Sequence, residues 1–62
     1  MVTTWEVWER IGGKDYKLAF GLTKEDAEEM ARNRKNEGKD VWIVWVRVLR
    51  KKFEIGEGKI RL

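Results

Sequence analysis

Sixty-two residues carrying 14 Lys or Arg against 11 Asp or Glu, with a formal charge of +3 and an isoelectric point near 9.5, describe one small, mildly basic domain. A chain this short buries only roughly 60% of its unfolded surface; without Cys or His it has no disulfide and no ordinary zinc staple to supplement the core, which leaves association with a second subunit. Because His, Cys and Ser are all absent, the usual nucleophiles and general bases are missing, and the chain is expected to be no enzyme and to hold no metal or cofactor.

Gln and Pro are absent as well, while Glu, Lys and Arg are plentiful. Depletion of thermolabile residues with charge enrichment is the pattern of proteins from hot environments. An idealised designed sequence without an assignable function would share it, although Ile43, Trp45 and Leu49 on a second sheet face depart from the usual rule of a polar outer face. Met1 leads into a polar, charged strand rather than a basic and then apolar leader. The longest apolar run, Val41 to Val46, falls far short of the roughly 20 residues a spanning helix needs. Both features predict a cytoplasmic protein.

From Val2 to Ile11 the chain alternates, with Trp5, Val7 and Ile11 on one face and Glu6, Trp8 and Arg10 on the other, so a strand is expected. Glu9 falls among the core-facing positions and calls for a partner such as Arg34, or a place at the sheet edge. Gly12-Gly13 supplies the positive φ angles of a two-residue hairpin turn. That loop pairs Arg10 with Asp15, Trp8 with Lys17, Val7 with Leu18 and Trp5 with Phe20: an opposite-charge pair, a cation–π contact and two apolar contacts. The second strand, Asp15 to Phe20, then sends Tyr16, Leu18 and Phe20 to the core.

A helix follows. Thr23 is the expected N-cap, with Asp26 at the capping-box position, Glu25 and Asp26 in the first turn, and Leu22 stapled onto Ala27. It should end near Glu37, with Gly38 as the left-handed residue beyond. Its apolar stripe is thin, consisting of Ala27, Met30 and Ala31 with the stem of Arg34. Glu28 and Arg32 form an i,i+4 pair on the solvent side.

Val41 to Leu49 reads as the strongest strand, apolar on both faces. The Val-rich set Trp42, Val44, Val46 and Val48 is expected under the helix, and Val41, Ile43, Trp45 and Leu49, with Arg47 among them, on the second face. This gives an α+β fold, ββαβ(β), with an antiparallel sheet of order 2-1-3, one helix on one face and an aromatic second face. The Trp-x-x-Trp spacing at Trp5/Trp8 and Trp42/Trp45 is read as coincidence. Gly56-Glu57-Gly58 is expected to be a turn before a short last strand from Lys59 to Leu62, a hairpin folded on its own sheet or exchanged with a neighbour. In element order the chain resembles the β-grasp arrangement in outline, and the strand–helix–strand stretch from Gly21 to Val44 resembles half of a SPOR-type peptidoglycan-binding repeat.

One constellation carries a functional expectation: Trp8, Ile43, Trp45 and Leu49 on the second face, with Arg10, Lys17 and Arg47 around them. Contiguous exposed apolar surface marks interfaces, and Trp and Arg are enriched there; the first expectation is therefore a homodimer through this face. The second is binding of single-stranded nucleic acid, with bases stacked on Trp8 and Trp45 and phosphates held by the basic segment from Arg47 onward, which has six Lys or Arg against two acids.

Overall fold

The computed structural model describes residues 2–50 and 53–61, and side chains over 2–47 and 58–61. Strands β1 (Val2–Ile11) and β2 (Lys14–Leu22) are followed by helix α1 (Lys24–Asn36) and strands β3 (Asp40–Arg50) and β4 (Phe53–Ile60). The four strands form one sheet of order β2-β1-β3-β4, antiparallel throughout. The fold is thus α+β, with β1 between β2 and β3 as the sequence predicts. The terminal strand lies against β3 of the same chain. The link between them, 51–52, lies outside the described residues.

The hairpin turn follows from its two glycines. Gly12 and Gly13 sit at φ 59° and 83°, the pair of left-handed residues that a two-residue turn matched to strand twist demands. Ile11 opposes Lys14, Arg10 opposes Asp15, Glu9 opposes Tyr16 and Trp8 opposes Lys17. Beyond Lys17 the predicted register fails: Val7 opposes Ala19, not Leu18, and Trp5 opposes Leu22, not Phe20. β2 therefore carries two bulges, and Gly21 at φ 66° lies within the second. A left-handed glycine is the usual occupant of such a site. Leu22 is consequently the β2 residue packed on the core. Tyr16, Leu18 and Phe20, expected in the core, are exposed, Phe20 at 75%.

Helix α1 begins and ends as its sequence dictates. The Thr23 side chain accepts a hydrogen bond from the Asp26 amide at 3.2 Å. At the other end the Gly38 amide donates to the Lys35 carbonyl at 2.9 Å and the Lys39 amide to that of Arg34 at 3.1 Å, with Gly38 at φ 85°. This is the Schellman arrangement, and it satisfies carbonyls that the helix end leaves open. Ala27 and Ala31 are buried against Val7, Val41 and Ile43, so α1 lies across β1 and β3, and Trp5 and Leu22 complete this cluster. Met30, expected in the stripe, sits on the exposed flank.

On β3 the faces are the reverse of those expected. Trp5 opposes Trp45, Val7 opposes Ile43, Trp8 opposes Trp42 and Glu9 opposes Val41. Directly opposed residues share a face. Val41, Ile43 and Trp45 therefore lie on the helix side, while Trp42, Val44 and Val46 pack with Trp8 on the side away from it. The ladder decides it, because the residues opposite Trp5, Val7 and Glu9 must share the helix-side face of β1. The equal Trp spacing is no coincidence: an antiparallel ladder that places Trp5 opposite Trp45 necessarily places Trp8 opposite Trp42.

Nor is Gly56-Glu57-Gly58 a turn, since β4 runs unbroken through it. Gly58 opposes Trp45, and a Cβ on Gly58 would overlap the Trp45 indole. The glycine is there to let the ring lie flat on the sheet.

Candidate functional site

Away from the helix, β1 contributes Thr4, Glu6, Trp8 and Arg10, and β3 contributes Val46, Val44, Trp42 and Asp40, opposed in pairs along the ladder. β2 adds Asp15 opposite Arg10 and Lys17 opposite Trp8, and β4 adds Lys59 opposite Val44. Among the described residues no second helix covers this side. Long charged side chains cover it instead, laying apolar stems over the rings while their heads reach water. Trp42 is only 2% exposed and Trp8 is partly buried, and Trp45, expected beside Trp8 on one face, lies on the other side of the sheet.

The cover is ordered by charge. Arg10 Nε lies 2.8 Å from Asp15 Oδ1, and a second guanidinium nitrogen lies 3.5 Å from Oδ2. Arg61, just past β4, reaches Asp40 Oδ1 at 2.8 Å. Buried Glu6 accepts a hydrogen bond from Trp8 Nε1 at 2.9 Å and pairs with Lys17 Nζ at 3.2 Å. Lys17 also stands 5.6 Å over the Trp8 ring, as the sequence predicts. Three cations converge on the Trp42 ring: Lys59 at 4.4 Å, Arg61 at 5.2 Å and Arg10 at 5.8 Å from its centroid. The hydrogen bond from Arg10 is the main cause holding the Asp15 carboxyl below the usual aspartate range, and Lys59 and Arg61 act in the same direction.

Of the residues expected to form one surface, Trp8, Arg10 and Lys17 are brought together here. Ile43 is fully buried beneath the helix and is available to no partner. Trp45 and Arg47 lie on the helix side of the sheet, where Arg47 stands 5.7 Å over the Trp45 ring. The side chain of Leu49 lies outside the described residues. In their place the structure supplies Asp40, Trp42, Lys59 and Arg61, which the sequence reading did not single out. The signal was present, because aligning the two Trp motifs in antiparallel register puts Asp40 opposite Arg10 and Trp42 opposite Trp8.

A second uncovered surface lies on the helix side. α1 packs mainly on β1 and β3 and meets β2, an edge strand, least, with Leu22 the β2 residue packed on their cluster. An open groove of about 660 Å³ runs between α1 and β2, with Leu18 and Met30 as its apolar members and Asp26, Glu29, Asn33, Arg34 and Glu37 along its rim. Tyr16 and Phe20, on the same strand, are exposed as well. The Arg34 guanidinium is already engaged by Glu9 at 2.6 Å.

Among the described residues no three metal-ligating side chains cluster, and no helix is long and apolar enough to cross a membrane. No protein-family model, curated protein or solved structure matches the chain.

Proposed function

We propose that the protein is a non-enzymatic association module that forms a homodimer through the exposed strip of β2 and the adjoining flank of α1. The observation that carries this reading is the exposed pair Leu18 and Met30 facing one groove between β2 and α1, with Tyr16 exposed on the same side of β2. A contiguous patch of this kind on a small domain marks an interaction surface. The second copy is favoured as its occupant by two features. The 62-residue core has neither a disulfide nor a zinc staple to supplement it, and the strip bears both signs of charge, Lys14 on β2 and Asp26 and Glu29 on α1. A two-fold axis can set these against each other, because each protomer then presents the same self-complementary patch.

Light scattering at high micromolar concentration is expected to give twice the chain mass. Leu18→Glu puts a charge on an already exposed position, so it should leave the fold's stability within about 0.5 kcal/mol and return the mass to that of one chain. Tyr16→Lys should do the same. A parent protein with the mass of one chain, or a Leu18→Glu, Tyr16→Lys double variant with the mass of two, contradicts the proposal.

A further inference from the structure

β2 is an edge of the sheet, and its hairpin turn decides which of its backbone groups are open to a second copy. A turn with two residues between strands closes on a hydrogen bond from the amide after it to the carbonyl before it, here Lys14 to Ile11. Backbone-bonded pairs then alternate along an antiparallel ladder. Lys14 and Tyr16 therefore bond to β1, opposite Ile11 and Glu9, while Asp15 and Lys17 turn amide and carbonyl outward. The run stays regular to Lys17, where the bulges begin. The side chains sort in the same way. Asp15 and Lys17 lie on the side away from the helix, opposite Arg10 and Trp8, whereas Tyr16, opposite Glu9, lies on the helix side, as does Leu18 in the groove. That groove is acidic: Asp26, Glu29 and Glu37 stand at its rim, and Arg34 is already held by Glu9.

We propose that two copies join β2 to β2, antiparallel, about a two-fold axis at Tyr16, so that their sheets become one; this rests on the dimer proposed above and gives its geometry. Main-chain bonds of an added strand supply affinity, and the opposed side chains choose the register. An axis at Asp15 would set that residue against its own copy, and an axis at Lys17 would do the same for lysine; like charges directly opposed are destabilising. An axis at Tyr16 sets each Asp15 against the partner's Lys17. Charges then alternate across the seam: Arg10, Asp15, the partner's Lys17 and the partner's Glu6. On the helix side the same register opposes the two Tyr16 rings and brings the partner's Lys14 beside Leu18, its stem over the leucine and its ammonium towards the acidic rim. Each copy thus completes the other's groove. Leu18→Glu removes the floor under that stem and adds negative charge to the groove, which is why it should part the copies. Joining β2 to the other edge, β4, would be heterologous and need not close.

Amide hydrogen exchange followed by NMR, with the mass measured at each concentration, tests this. As the mass rises from one chain to two, exchange at the Asp15 and Lys17 amides should slow about tenfold or more, while the Tyr16 amide, bonded to β1, is slow throughout. A second measurement uses the absence of cysteine from the chain. Tyr16→Cys should form a covalent dimer on mild oxidation, because opposed residues of a pair without backbone bonds lie about 4.5 Å apart at Cα, within the span of a disulfide. Phe20→Cys, exposed but away from the axis, should not. A two-chain mass with Asp15 and Lys17 amides that exchange as fast as in the dilute sample overturns the edge pairing and leaves the dimer to other contacts. Cross-linking of Phe20→Cys as readily as Tyr16→Cys overturns it too. A mass of one chain at every concentration removes the dimer and the edge pairing together.

Discussion

Glu9 lies beneath the helix at 3% exposure, with its carboxylate on Arg34 Nε at 2.6 Å. Its need for a partner was legible in the sequence. Position 9 shares the parity of Trp5 and Val7, and Arg34 continues the helix stripe of Ala27 and Ala31 by one further turn. The pair joins α1 to β1, and its hydrogen bond raises the Arg34 pKa further above its already high ordinary value. Breaking the pair by Arg34→Met leaves a buried carboxylate alone. The loss should be about 1–3 kcal/mol in urea unfolding, below that of a wholly buried pair because Arg34 keeps contact with water. Removing both charges in Glu9→Leu, Arg34→Met should recover most of it. A double variant as unstable as the single one would show that packing of the Arg34 stem, not the pairing, holds the helix there.

At the scale of elements, local chemistry was readable and register was only partly so. The glycine turn, the Thr23 cap and the Gly38 terminus follow from residue type alone. Tyr16, Leu18 and Phe20 alternate as a core-facing strand would, yet the bulges, whose one visible sign is Gly21, take that alternation out of step with β1. The faces of β3 were misread because a Val-rich set was taken to suit the helix, when the equal Trp spacing already allowed one antiparallel ladder that pairs Trp5 with Trp45 and Trp8 with Trp42. The Trp45–Gly58 contact is the clearest product of that ladder. Gly58→Ala should destabilise the fold by about 1–3 kcal/mol, since the indole must leave its place. Adding Trp45→Val frees the space, so Gly58→Ala in that background should cost far less. Equal losses in the two backgrounds, read from denaturant midpoints, would show that the glycine serves backbone conformation instead.

For the whole molecule the governing fact is that one helix covers two strands of four. The result is a slab of 35 × 24 × 15 Å with a radius of gyration of 11.7 Å, against the roughly 10.6 Å expected of a compact chain of this length. Each broad side therefore keeps uncovered sheet, and the two sides differ in how they meet water. Away from the helix the cations and carboxylates roof the Trp pair; composition showed that such charges were abundant but not where they gather. On the helix side the β2 strip has no such roof, and Tyr16 and Leu18 stand exposed. Association should follow that difference. The most direct measurement is a dilution series followed by amide chemical shifts in two-dimensional NMR. The account predicts concentration-dependent shifts at Tyr16, Leu18 and Met30, with Trp42 and Val44 unmoved. Shifts confined to Trp42 and Val44, or none at any concentration, would contradict it.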